Sequence, residues 1–329
     1  MEFLFIDMLG KPIWMWAVFL GIVGTLLAFD LGVLHRDSRI IPIKESLWLS
    51  AFYIFISLIF GAWVWYSLGA QSGEEYLTGY IVEKTLAMDN IFIISLIFTY
   101  FAIPPQYQHR VLFWGILGVI VLRAIMIGLG ATMVAQYSWI LYIFAVFLIF
   151  TGVKMLSMGD KLPSIEHNPL LKFLRRNMRV TNELHGNKFT VHLVDQNTGK
   201  RATYMTPLLV ALILIEFVDI IFAVDSIPAI FTITLDPYIV YTSNIFAILG
   251  LRALYFALAA IIHRFSYLKV ALAWVLIFIG SKTFIADAMD MEKFPASISL
   301  GVTVAIIAAG ILISLYKTRG HQDSVKSLP

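Results

Sequence analysis

Glu216-Phe217-Val218-Asp219-Ile220-Ile221-Phe222-Ala223-Val224-Asp225-Ser226-Ile227-Pro228-Ala229-Ile230-Phe231 has the length and apolar character of a membrane span, yet it carries three carboxylates, a hydroxyl and a proline. A charged carboxylate at the centre of a bilayer costs roughly 2.5–3.5 kcal/mol on translocon scales, so acids at this depth are kept for a use. Proline removes a backbone donor and clashes one turn back, which predicts a bend or break beside Asp225. Irregular backbone at membrane depth is tolerated where it lines a cavity, and transporters build ion sites from it. The stretch therefore reads as half of a cation-binding site.

The rest of the chain supports a membrane setting. Its 329 residues are 60% hydrophobic and 14% charged, with a mean hydropathy of +0.84. Nine apolar runs of spanning length follow one another, at roughly 12–34, 46–69, 78–101, 110–132, 138–158, 207–232, 239–262, 268–287 and 296–316. The first run lacks a basic region and a small-residue cleavage site, so it reads as a retained anchor. There is no cysteine, which excludes disulfides and thiolate metal sites. No Ser/His/Asp arrangement, His-Glu-x-x-His, phosphate-binding glycine loop or dinucleotide fingerprint is present, so an enzyme is not expected. No resident cofactor and no nucleic-acid partner are expected either.

Basic residues alternate between the connections. Arg36, Arg39 and Lys44 follow span one, Arg110 follows span three, and Lys161, Lys172, Arg175, Arg176, Arg179, Lys188, Lys200 and Arg201 follow span five. Arg264 and Lys269 follow span seven, and Lys317, Arg319 and Lys326 lie in the tail. The opposite connections carry almost none. The positive-inside rule then puts the N-terminus outside and the C-terminus in the cytoplasm. All seven histidines (His35, His109, His167, His185, His192, His263 and His321) fall on the inner side and read as ordinary interfacial residues. The one long polar segment, 159–206, is cytoplasmic on this reading. Within it, Asn168 to Val180 predicts a short basic amphipathic helix lying on lipid headgroups. Lys188 to Met205 alternates around Asn197-Thr198-Gly199 and predicts a β-hairpin.

Aligning Asp89 with Asp225 exposes an internal repeat. Glu83-x5-Asp89-Asn90 in span three matches Asp219-x5-Asp225-Ser226 in span six. Gly115-Ile-Leu-Gly118 with Leu122-Arg123-Ala124 matches Ala247-Ile-Leu-Gly250 with Leu251-Arg252-Ala253, and Phe150-Thr-Gly152-Val-Lys154 matches Phe278-Ile-Gly280-Ser-Lys282. An odd number of spans per copy forces the copies into opposite orientations. The expectation is an all-α polytopic membrane protein of about nine transmembrane helices, with a three-helix inverted repeat and a small cytoplasmic appendage. The chain divides into spans one and two (1–77), the first copy (78–158), the loop (159–206), the second copy (207–287), and span nine with its tail (288–329).

On a helix, Glu83, Ala87 and Asn90 share a face, and Asp219, Ala223 and Ser226 repeat the arrangement of acid, small residue and neutral oxygen. Asp89 and Asp225 lie about 9 Å along the axis from those acids and off that face, so they join only if the helix unwinds. Carboxylate, amide and hydroxyl oxygens form a hard ligand set suited to Mn²⁺, Mg²⁺ or Ca²⁺. The expected metal set is Glu83, Asp89, Asn90, Glu216, Asp219, Asp225, Ser226 and Asn244. Its counter-charges are Arg123, Arg252, Lys154 and Lys282, with Lys84 and Asp30 as further intramembrane charges. The bland alternative is that these acids and bases form an internal ion-pair network. Ion release with proton uptake, or with pairing to Arg123 and Arg252, suits an antiporter.

Glu83-Lys84-Thr85-Leu86-Ala87-Met88-Asp89-Asn90-Ile91-Phe92, the Glu216–Phe231 stretch, and Thr242-Ser243-Asn244-Ile245-Phe246-Ala247-Ile248-Leu249-Gly250-Leu251-Arg252 together resemble the TerC family of integral membrane proteins. The likeness is strongest to its Alx-type bacterial inner-membrane members and runs over roughly residues 15–316. The resemblance implies a manganese exporter tied to alkaline pH and metal homeostasis. The family name points to tellurite resistance, and some relatives are linked to calcium or to the assembly of other membrane proteins. The sequence reading is thus a multi-pass inner-membrane divalent cation exporter, Mn²⁺ first, proton-coupled by alternating access, whose partners are the ion and the bilayer. Its rivals are a non-transporting scaffold or insertion factor, and an exporter of another cation such as Ca²⁺.

Overall fold

The structure, a computed structural model, describes residues 6–32, 42–157, 165, 168–194, 200–258, 266–291 and 294–326; the side chains of 30–32, 89, 266 and 318–326 lie outside the described residues. The chain forms an all-α polytopic membrane protein. A two-residue hairpin, β1 (Asp7–Met8) and β2 (Lys11–Pro12), leads into α1 (Ile13–Gly32), α2 (Ile43–Leu68), α3 (Ala70–Tyr100), α4 (Pro105–Gln136) and α5 (Ile140–Ser157). The polar loop holds α6 (Pro169–Asn177) and the strands β3 (Thr190–Val194) and β4 (Arg201–Met205). Then come α7 (Pro207–Ile233), α8 (Pro237–Leu249), α9 (Leu251–Leu258), α10 (Ser266–Ala288) and α11 (Ala296–Lys326). Proline opens α4, α6, α7 and α8, where its missing N–H breaks no helical bond.

Among the described residues, seven helical segments are long and apolar enough to cross a membrane: α2, α4, α5, α7, α8 with α9, α10 and α11. The expected spans one and three fall outside that set. α1 is a shorter apolar helix over Ile13–Phe29, and α3 is interrupted by Glu83, Lys84 and Asp89.

α8 is the centre of the bundle. The α8–α9 span is 89% buried, against 22% for α5, so α5 faces lipid while α8 faces protein. α3 and α4 both pack on α7 and α8. The head of α8 is fixed from two sides: Asp236 Oδ1 accepts from the Tyr238 N–H at 3.0 Å, and its Oδ2 pairs with Lys11 Nζ at 2.9 Å. That pair joins the β1–β2 hairpin to the α7–α8 connection at one end of the bundle.

Two expectations about helix geometry need correction. α7 runs unbroken through Pro228. The residues around the proline, Ile227 to Phe231, are all buried, and this packing carries the helix across one missing bond. The interruption falls in the next span instead, at Gly250 between α8 and α9. α6 also departs from expectation. Asn168 caps it, accepting from the Leu170 N–H at 2.9 Å. Its Leu171 and Leu174 do not lie on headgroups but sink into one core cluster with Ile97, Phe98, Val111 and Leu208. Burial among helices removes more apolar area from water than a headgroup surface does. The Met205 N–H donates to Arg179 O at 2.8 Å and the Thr181 N–H to Met205 O at 2.9 Å. These bonds tie the end of α6 to β4, which runs directly into α7. The predicted hairpin is present, with Thr190 opposite Met205 and Val194 opposite Arg201; its turn, 195–199, lies outside the described residues.

α5 and α10 form the most extensive helix pair, and their contact is reciprocal. A Cβ added at Gly152 would stand 2.6 Å from Ala273 O and 2.7 Å from Ile277 Cγ1; one added at Gly280 would stand 2.5 Å from Ala145 O and 2.8 Å from Ile149 Cγ1. The two glycines are the ones matched by the sequence repeat, and each helix offers Ala, Ile and Gly at the same spacing. Small residues let membrane helices approach this closely. Gly152→Val and Gly280→Val are each expected to cost about 1–3 kcal/mol, the scale of core overpacking. Gly128→Val, with nothing within 4 Å, is expected to be silent. Thermal unfolding in detergent measures all three.

Candidate functional site

The site is built on one guanidinium. Arg123 projects from the middle of α4 into the bundle and is 1% exposed. Its Nη1 lies 2.5 Å from Glu83 Oε1 of α3. The same nitrogen donates to Ser226 Oγ of α7 at 2.9 Å and to Asn244 Oδ1 of α8 at 2.7 Å. Nη2 lies 3.6 Å from Asp219 Oδ1 of α7, and Asn90 Nδ2 of α3 donates to that oxygen at 3.4 Å. Four helices thus meet at one planar cation, whose fork of donors suits several acceptors at once. Glu83, Asn90, Asp219, Ser226 and Asn244 are all buried.

Five of the eight expected ligands therefore converge, as the shared-face reading requires, but they converge on Arg123. Asp225 points elsewhere: it turns to α5, where Thr151 Oγ1 donates to its Oδ1 at 3.4 Å. Without unwinding at Pro228, the 100° step per residue keeps Asp225 on another face of α7 from Asp219. Glu216 lies over α4, where a Cβ on Gly118 would overlap its carboxylate, and Gly115 leaves further room beside it. The Asp89 side chain, and that of Asp30, lie outside the described residues. Among the expected counter-charges, Arg123 is the hub and Arg252 is buried beside the site. Lys154 is exposed on α5, and Lys282 donates to Ser299 Oγ at 3.1 Å. Among the described residues, no three carboxylates or imidazoles form a ready-made metal cluster.

A cavity of about 30 Å³ adjoins the Arg123 node; most of its wall is apolar, with Leu112, Ile215, Phe222 and Ile248 among its lining, and Asn90, Asp219, Arg252 and Tyr255 are its polar members. That is space for roughly one water or one small ion. Among the described residues, Asn90 Oδ1, Asp219 Oδ2 and Glu216 Oε2 accept no hydrogen bond in this region, and Glu83 Oε1 has only its ion pair with Arg123. Buried acceptors are rarely left so, because each costs about 1–3 kcal/mol of desolvation. Sequence reasoning missed the contact of Lys84 Nζ with Ala247 O, at 3.0 Å. It also missed the seat for Glu216, although Gly115-Ile-Leu-Gly118 was there to suggest one.

Fold and site together define a polytopic membrane protein with a buried, charged polar centre between four helices. The chain belongs to the family described as Integral membrane protein TerC family, which matches residues 68–322. It is 50% identical to an "Uncharacterized membrane protein" of Rickettsia bellii over 92% of this chain and 97% of that one. A Myxococcus xanthus protein, "Uncharacterized membrane protein STKORF319", is 47% identical over 97% of each. The "Putative membrane-bound redox modulator Alx" of Escherichia coli is 42% identical over 95% of this chain and 97% of its own. No solved structure matches.

Removing one partner of a buried ion pair is costly, because the other charge stays buried alone. Arg123→Met is accordingly expected to cost about 3–5 kcal/mol, and Glu83→Gln in the same chain to restore part of the loss. Arg123→Lys should recover little, since one ammonium cannot span acceptors on three helices. Unfolding temperatures of the purified variants report all three.

Proposed function

We propose that this protein exports a divalent cation, Mn²⁺ foremost, in exchange for protons. The observation that carries the reading is the set of buried oxygens unpartnered among the described residues: those of Asn90 (Oδ1) and Asp219 (Oδ2), which line a cavity of ion size, and Glu216 Oε2, whose carboxylate lies against Gly115 and Gly118. All are hard donors, which favour Mn²⁺, Mg²⁺ or Ca²⁺ over copper or zinc. The Arg123 guanidinium stands between Glu83 and Asp219 as the counter-charge of the cation-free state. An incoming divalent ion competes with it for the same carboxylates, and release of the ion lets Arg123 return. Asp89 and Asp225 belong to this reading as acids that take up protons or guide the ion. Alternating access follows if the two copies of the repeat rock against each other, with the reciprocal α5–α10 crossing as their contact.

The redox name carried by some relatives does not favour thiol chemistry here, because the chain has no cysteine. An exporter of a redox-active ion would alter redox balance indirectly. The reading also fits cytoplasmic loops rich in lysine and arginine, with the N-terminus outside an inner membrane.

Purified protein in liposomes is expected to move Mn²⁺ across the membrane, with acidification or alkalinisation of the lumen as protons move the other way. Asp219→Asn should lower the flux at least about tenfold, the effect of roughly 1.4 kcal/mol. Asp287→Asn, exposed near the end of α10, should leave it unchanged. Wild-type protein that moves no divalent cation would overturn the reading in favour of a non-transporting scaffold.

A further inference from the structure

The break between α8 and α9 is occupied. α8 ends at Leu249 and α9 begins at Leu251, so the helical ladder is interrupted there and the Ala247 carbonyl is left to find another donor. Lys84 Nζ of α3 donates to it at 3.0 Å. The fit is close: a Cβ on Gly250 would stand 2.8 Å from Lys84 Nζ and 3.1 Å from Tyr53 Cβ of α2. A cation at the carboxyl end of a helix also meets the negative end of its dipole. Among the described residues, no carboxylate forms an ion pair with Lys84. An intramembrane ammonium held mainly by a backbone carbonyl is a poor stabiliser, since its desolvation is only partly repaid.

The position of the break matters to the site. Asn244, which accepts from Arg123, lies six residues, nearly two turns, before it on α8. Ile248, Leu251 and Arg252, which line the cavity, flank it on both sides. Lys84 follows Glu83 in sequence, so α3 offers one side chain to the Arg123 node and the next to the break. A continuous helix would turn Arg252 and Asn244 relative to each other, because each residue passed adds about 100° of rotation.

We propose that Lys84 is a positioning residue: by taking the Ala247 carbonyl it holds the α8–α9 helix broken at Gly250, and so sets Asn244 and Arg252 toward the ion site. The inference rests on the proposed export function. It assigns Lys84 no contact with the ion.

The test separates positioning from mere structural support. Lys84→Met removes a poorly paired charge at nearly constant size and frees Ala247 O to accept from the Leu251 N–H. Its unfolding temperature is expected to equal or exceed that of wild type, while the Mn²⁺ concentration for half-maximal flux in liposomes rises about tenfold or more. Lys84→Arg, which keeps a donor, should restore part of the affinity. Hydrogen exchange at the Leu251 amide, read without any transport assay, should be slower in Lys84→Met than in wild type. The proposal is overturned if Lys84→Met transports like wild type, if it unfolds more easily or fails to fold, or if Leu251 exchange is unchanged. Wild-type protein that moves no Mn²⁺ sinks the export reading by itself; the Leu251 exchange still decides whether Lys84 holds the break.

Discussion

A guanidinium in the middle of a membrane bundle has to be surrounded, and most of this structure follows from surrounding Arg123. Lipid offers no acceptors, so those that Arg123 uses come from protein. α3 supplies Glu83, α7 supplies Asp219 and Ser226, and α8 supplies Asn244. Those three helices and α4 are thereby fixed in mutual register at one level. α8 becomes the most enclosed span because it stands opposite α4 across this centre, and α5, which contributes nothing to it, is left facing lipid. An arginine keeps its charge in such a setting, unlike lysine, so the carboxylates around it have a permanent counter-ion.

The same arrangement leaves part of the buried oxygen around Arg123 unused, which is what the proposed ion site requires. The donors of Arg123 satisfy only part of the oxygen available. Among the described residues, Asn90 Oδ1, Asp219 Oδ2 and Glu216 Oε2 meet no donor. Glycines at 115 and 118 keep α4 clear of the Glu216 carboxylate. The ends of the bundle are closed by different means. At one end, Leu171 and Leu174 of α6 join the apolar cluster around Leu208 and Val111. At the other, Trp16, Phe19, Phe60, Tyr238 and Phe246 form an aromatic cluster. The segment after α6 is tied through Arg179, Thr181 and Met205 to the start of α7, which carries Glu216 and Asp219.

Much of this was legible in the sequence, and the reasons differ from residue to residue. Apolar runs marked most of the helices to within a few residues, although α3 starts at Ala70, eight residues before the expected span. Spacing placed Glu83 with Asn90, and Asp219 with Ser226, because helical rotation alone fixes a shared face. Arg123 was foreseen as a partner of the acids but not as the point where they all meet, since that depends on how α4 packs. Asp225 was assigned to the site on the strength of Pro228, yet α7 continues unbroken through the proline and leaves Asp225 against Thr151. The break at Gly250 had no strong local signal. It depends on Lys84 arriving from a helix remote in sequence, and so could be read only from the folded chain. The sequence reading counted 78–101 as a span, whereas α3 carries Glu75, Glu83, Lys84 and Asp89 and falls outside the helices apolar enough to cross a membrane.

The account stands on an exchange between Arg123 and a divalent ion at one pair of carboxylates. Crystals of the protein grown with Mn²⁺ and measured at the manganese absorption edge test it most directly. The account predicts an anomalous peak beside Asp219 and Asn90, with the Arg123 guanidinium drawn away from Asp219. A peak elsewhere, or none with Arg123 still bridging Glu83 and Asp219 at saturating Mn²⁺, would contradict it.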